Sequence, residues 1–231
     1  MPLRRGAARS ACANATPLRS AWLWAKHEWY LGRITVFMLV QAIYYMIRYA
    51  LGWVENLETA FDIAMSQYKG VSADLLRTQT RAWFKSEVLP RTRPLARSTL
   101  ARHRGAGARC VLASSTTQFA AEAAREAFGL NDAVCTNLEI DAGGCLTGRA
   151  TAVAFGHGKA ARVREWAQKH AVPLERCTFY TDSFADRALL AQVGTPVCVN
   201  PDRRLRALAK KCGWPVEDWG RSPVPLARLV K

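Results

Sequence analysis

Acidic residues are what this chain lacks most. None occurs before Glu28, and no aspartate before Asp62. Over 231 residues, 33 Lys and Arg stand against 18 Asp and Glu, a formal charge of +15. Cysteines number seven, scattered singly with no C-x-x-C, so a disulfide framework and a structural zinc site are excluded and a reducing cytoplasm is the expected compartment. Gly (15) and Pro (10) are too ordinary for collagen-like or low-complexity chains. There is no zinc finger, no aromatic-plus-Arg RNA signature and no block of five basic residues, so nucleic acid is not an expected partner. What is present is apolar bulk: half the chain is hydrophobic, enough for a real core.

Residues 1–20 are basic and unpatterned, which fits a tail, a transit-type segment, or a start or reading-frame error upstream of about residue 20. Residues 34–54 are the most apolar stretch. They are long enough to span a bilayer, but Arg48 lies within them and no second span follows. A buried helix is the preferred reading and a membrane anchor the alternative. The spacing of Leu57, Ala60, Phe61, Ala64, Met65 and Tyr68 predicts a helix over 55–70. A second is expected over 72–89, capped by Ser72 and stopped by Pro90.

From Ala108 the period changes. Strands are expected at 108–114, 133–140, 177–182 and 195–200, and helices at 117–130, 158–170, 183–193 and 201–213. Gly129 marks a helix stop, and 141–148 a Gly-rich hairpin tip. Strands alternating with helices predict an α/β fold with a Rossmann-like parallel sheet, whose ligands sit beyond the carboxyl ends of the strands.

Three features fall at that edge. Ser114 ends a strand and is followed by Ser115, where hydroxyls and free helix-start amides suit a phosphate oxygen. Helix capping is the plainer role. Lys159 opens a helix, where a cation opposes the helix dipole unless an anion lies near; a solvated surface lysine is the plainer role. Asp182 ends a strand and Asp186 follows one turn later. Two carboxylates at one corner suit a hard divalent cation, or else cap the helix.

The order strand–Ser, helix-start Lys, strand–Asp-x-x-x-Asp resembles the haloacid dehalogenase-like (HAD) hydrolases, over about residues 22–219. The closer likeness is the phosphoserine-phosphatase-like branch (subfamily IB), with a helical cap between the first and second motifs. On that resemblance VLASSTT (111–117) is the second motif, GHGKA (156–160) the third and YTDSFAD (180–186) the fourth. Ser114 and Ser115 would then bind the phosphoryl group and Lys159 would neutralise its charge. Asp182 would hold Mg²⁺, and Asp186 would support the site. The implied reaction is Mg²⁺-dependent hydrolysis of a small phosphorylated metabolite by an enzyme in the cytoplasm. The implied domains are a cap over 21–97 and a core over 98–231.

The family's first motif, an apolar strand ending in Asp-x-Asp-x-Thr, has no counterpart here. SACANATPLRSAW (10–22) stands in its place. Nucleophile and general acid are therefore absent, and turnover is expected to be impaired. A non-catalytic phosphate-binding protein is the alternative. The core is also expected to lack its first strand, the middle one of the sheet, at about 1–3 kcal/mol per buried unpaired backbone group.

Overall fold

In the computed structural model, residues 65–220 are described throughout; before them Ser10–Ala13 are described as backbone, together with residues 23, 24, 26–28 and 44. The expected membrane-length segment 34–54 lies outside the described residues except for Tyr44. Among the described residues, no helix is long and apolar enough to cross a membrane.

Among the described residues, seven strands form one sheet. They are β1 (Ser10–Ala13), β2 (Arg109–Thr117), β3 (Asp132–Ile140), β4 (Leu146–Ala152), β5 (Cys177–Thr181), β6 (Thr195–Val199) and β7 (Val216–Glu217). Their order is β4-β3-β2-β1-β5-β6-β7, and every pairing is parallel except β3 with β4. The fold is α/β with a largely parallel sheet, as the alternating pattern predicts.

One expectation is overturned. The core does not lack its first strand, because Ser10–Ala13 occupy the central slot. Ala13 pairs with Leu112 on one side and Tyr180 on the other. The physical reason is backbone satisfaction. β2 and β5 each present a row of ladder groups to the slot, and a segment pairing with both satisfies two rows at once. Ser-Ala-Cys-Ala has little β-propensity of its own, so no pattern in its side chains announces the strand.

Among the residues described from Ala73 onward, the helices are α1 (Ala73–Trp83), continued by a π-turn over Phe84–Val88 and a 3₁₀ turn over Leu89–Arg91, then α2 (Pro94–Gly105), α3 (Gln118–Phe128), α4 (His157–Lys169), the short α5 (Arg187–Leu190) and α6 (Arg203–Cys212). Ser72 caps α1 as expected, its Oγ accepting from the Leu75 amide at 3.4 Å. The run does not stop at Pro90; it tightens into the 3₁₀ turn that contains it. Gly129 closes α3 with φ +59°, a left-handed conformation that favours glycine. The stretch 91–108, given no element by the sequence pattern, contains α2 with Pro94 in its first turn.

The core lies on both faces of the sheet. On one, Val111, Ala113 and Phe179 pack with Val163, Ala167, Leu189, Leu190 and Leu205 of α4–α6. On the other, Leu112 packs with Trp83, Phe84, Ala121, Ala124 and Phe128. α1 is tied further to α3 by Arg77–Glu122 at 3.0 Å and Arg81–Glu126 at 2.6 Å. α2 lies over the sheet through Ala96, against Tyr180, Val197, Val199 and Trp219. A cavity of about 30 Å³ separates α2 from the sheet, lined mainly by apolar groups with His103 and Tyr180. None of Ser114, Lys159 and Asp182 lines it.

Candidate functional site

The carboxyl ends of β2 and β5 flank β1. Two strand spacings of about 10 Å in all separate Ser114, within β2, from Asp182, the first residue past β5. Ser114 is buried, and its Oγ accepts from the Thr116 amide at 3.3 Å. The strand does not end at Ser114 but continues to Thr117, with a register shift between Ala113 and Thr117. That irregularity lets the Ser114–Ser115 backbone leave the regular ladder. The Ser115 carbonyl accepts from the Thr136 hydroxyl at 3.2 Å, and Thr136 Oγ1 accepts from the Ala154 amide at 3.0 Å. One fully buried threonine thus joins the Ser114 loop to the segment leading into α4.

That segment is shaped by glycine. Gly156 has φ +50°, and a Cβ on Gly158 would stand 2.7 Å from the Val153 carbonyl oxygen. The tight turn delivers Lys159 into the interior. Lys159 is 3% exposed and its Nζ lies 2.7 Å from Asp186 Oδ1. Asp186, 1% exposed, accepts from the Thr181 hydroxyl through Oδ2 at 2.6 Å. The misplaced helix-start cation is therefore a buried, paired group and not a solvated one. Asp186 sits in a 3₁₀ turn (Phe184–Asp186) ahead of α5, where one continuous helix over 183–193 was expected.

Asp182 follows β5. Burial pushes its carboxyl up to about 6; a backbone hydrogen bond, the Arg93 guanidinium and Lys159 oppose the rise, and Asp186 adds to it. Its carbonyl accepts from the Asp202 amide at 2.9 Å. Asp202 Oδ2 accepts from the Phe184 amide at 2.7 Å, and Oδ1 accepts from the Leu205 amide at 2.8 Å while capping α6. Asp202 thus staples the loop after β5 to the loop after β6. Arg187 and Arg204 lie over the Phe184 ring, 4.8 and 4.2 Å from its centroid.

Ser114, Ser115, Lys159, Asp182 and Asp186 were all expected at this edge. The contacts join Lys159 to Asp186, and the fields of Lys159 and Asp186 reach Asp182. The Ser115 carbonyl is linked through Thr136 to the Ala154 amide, in the segment leading into α4. Thr136, Thr181, Asp202 and Arg93 escaped the sequence reading. Asp202 ahead of a helix is legible as a cap, but its tie to Phe184 is not.

The donor set does not fit a divalent cation. Asp186 spends its oxygens on Lys159 and Thr181, and Asp202 spends its own on two amides. Among the described residues of this corner, Asp182 is the carboxylate not tied to Lys159, Thr181 or a helix-cap amide, and β1 brings none. Among the described residues no three His, Cys, Asp or Glu gather as a metal site. A hard cation takes six or more oxygens, with waters filling gaps that carboxylates and substrate leave.

A profile of haloacid dehalogenase-like hydrolases matches residues 16–191. Phosphoserine phosphatase SerB1 of Mycobacterium tuberculosis (strain ATCC 25618 / H37Rv) is 40% identical over 119 residues, covering 51% of this chain and 38% of that one. A histidinol-phosphatase of Neisseria meningitidis serogroup C (strain 8013) is 32% identical over 140 residues, covering 59% and 63%. The chain spans less than two thirds of the length of these curated relatives. A crystal structure of a Bordetella pertussis Tohama I protein of unknown function superposes with TM-score 0.81 at 26% identity, over 93% of this chain and 99% of that one. The chain belongs to the haloacid dehalogenase-like hydrolase family, in its phosphoserine-phosphatase-like branch.

Proposed function

We propose that this chain recognises a small phosphomonoester and that its ability to hydrolyse it is impaired. One observation carries the reading: Lys159, Asp186 and Asp182 form a connected group beside β1, while β1 itself, Ser-Ala-Cys-Ala, contains no carboxylate. Phosphoryl transfer in this family needs a nucleophile and a proton donor for the leaving group, and neither has a source at that strand.

The remaining residues do the work of recognition. Ser114 donates its hydroxyl to a phosphoryl oxygen, and the Ser115 side takes a second through the first amides of α3. Lys159 neutralises phosphoryl charge, held at its post by Asp186. Asp182 faces the same space. The part of the expected cap that precedes α1 would choose the organic part of the substrate. The names of the relatives favour an amino-alcohol phosphate such as phosphoserine or histidinol phosphate.

A pure binding role is the second reading, favoured by the same carboxylate-free strand. Calorimetric titration with O-phosphoserine tests what the two readings share. Binding is expected, and Ser114→Ala should weaken it by roughly tenfold or more, since hydrogen bonds to charged groups are worth about 1.5–3 kcal/mol. No heat of binding with any of O-phosphoserine, histidinol phosphate or inorganic phosphate overturns both.

A further inference from the structure

We propose that Thr136 is a positioning residue for the phosphate, its one hydroxyl fixing the spacing between the Ser114–Ser115 turn and Lys159. The inference rests on the phosphomonoester reading above and adds to it the residue that keeps the two sides of the phosphate site in register.

The sheet creates the need for it. Between the pairs Ala113–Val134 and Thr117–Thr136, β2 has three residues where β3 has one. A bulge of this kind re-aims side chains at the cost of ladder bonds. The Ser115 carbonyl lies in the interrupted stretch, and a backbone acceptor there needs a donor from elsewhere. Thr136 is that donor, its hydroxyl reaching the Ser115 carbonyl at 3.2 Å.

The same oxygen also accepts, from the Ala154 amide at 3.0 Å, and both Thr136 and Ala154 are fully buried. Few side chains donate and accept through a single atom, and a hydroxyl is one. With the Ala154 amide donating to Oγ1, the hydroxyl proton is left for the Ser115 carbonyl. From Ala154 the path to Lys159 is short. The Phe155 carbonyl accepts from the Gly158 amide at 2.8 Å and from the Lys159 amide at 3.3 Å. That turn has no slack, since a Cβ on Gly158 would stand 2.7 Å from the Val153 carbonyl oxygen. The serine turn and the start of α4 are therefore tied through one atom and one tight turn. A shift of either against the other changes the gap that a phosphoryl group has to bridge. Binding groups keep their affinity only where supporting bonds hold them to within about 0.5 Å.

The test is a calorimetric titration of inorganic phosphate and O-phosphoserine into the full chain, as wild type, Thr136→Val and Thr136→Ser, well below their melting temperatures. Valine keeps the shape and removes both bonds; serine keeps both bonds and removes a methyl. Thr136→Val is expected to bind about tenfold more weakly, and Thr136→Ser within about twofold of the wild type although the lost methyl lowers its Tm. That split separates positioning from stability, because a merely structural threonine would lower Tm in both variants and leave both affinities unchanged. Ser114→Ala should also weaken binding less in Thr136→Val than in the wild type, since the turn that carries the serine is no longer held. Thr136→Val that binds as tightly as the wild type overturns the inference and leaves the phosphomonoester reading standing. A wild type that binds neither probe overturns that reading and the inference with it. If Thr136→Val does not fold, Thr136→Cys, whose thiol is a weak donor, replaces it with the same two outcomes.

Discussion

Two adjoining regions of one sheet edge differ sharply. After β5 and at the start of α4, buried side chains are paired: Lys159 has Asp186, Asp186 has Thr181, and Asp202 ties the following loop. One strand away, β1 contributes a backbone ladder and four small residues. The contrast separates two jobs that an active phosphatase combines. Holding a dianion needs positioned cations and donors, the part that the proposed reading gives to Ser114, Ser115 and Lys159. Breaking the ester needs a nucleophilic carboxylate, and β1 has none. A family fold can keep the first job without the second because they rest on different strands.

The contrast is broken most forcefully by removing one partner of the buried pair. Lys159→Met leaves Asp186 uncompensated and is expected to cost about 3–5 kcal/mol in urea unfolding. Adding Asp186→Leu should recover much of that loss; no recovery would mean that the pair is not what holds this edge. Asp202→Ala removes an N-cap and the tie to Phe184, and should cost about 1–2 kcal/mol, read as a fall in Tm.

The β1 side is sharpened by adding what it lacks. Asn14→Asp places a carboxylate on the first residue beyond β1. Mg²⁺ at ten times its dissociation constant should then stabilise the variant by about 1.4 kcal/mol, and leave the wild-type Tm unchanged. A wild-type Tm that rises with Mg²⁺ would put a metal site where the donor count finds none.

Away from the site, smaller effects are expected. Arg81 and Glu126 are each nearly half exposed, so Arg81→Ala should change stability by less than about 1 kcal/mol. His103 stands 2.8 Å from the Tyr180 hydroxyl and, chiefly through burial with help from Arg102, titrates below its ordinary 6.5. The unfolded chain therefore binds the proton more readily. The contribution of neutral His103 is fully present above that ordinary value and is lost as pH falls through and below it. Thermal unfolding from pH 8 to 5 should show the loss, and His103→Gln should flatten it.

Much of this was legible in the sequence, and the rest was hidden for physical reasons. Alternating strands and helices gave the parallel sheet, and Ser72 and Gly129 marked a helix start and stop through local chemistry. Lys159 drew notice because a cation opens a helix unfavourably, and the structure pairs it with Asp186, distant in sequence. β1 was missed because its pairing comes from neighbours about a hundred residues or more away, and Ser, Ala and Cys do not advertise a strand. α2 was missed because its arginines mask the one buried position, Ala96. Pro201 was read as opening the last helix; Asp202 caps it and Pro201 lies outside. Thr136 and Asp202 act through bonds spanning 18 residues or more, which no periodicity reports.

The central claim is that recognition is built here and ester cleavage is not. Release of inorganic phosphate from O-phosphoserine in the presence of Mg²⁺ tests it most directly, with the wild type run beside Asp182→Asn. The predicted result is no release by the wild type above that of Asp182→Asn. Turnover by the wild type that Asp182→Asn abolishes would show a working nucleophile and contradict the claim.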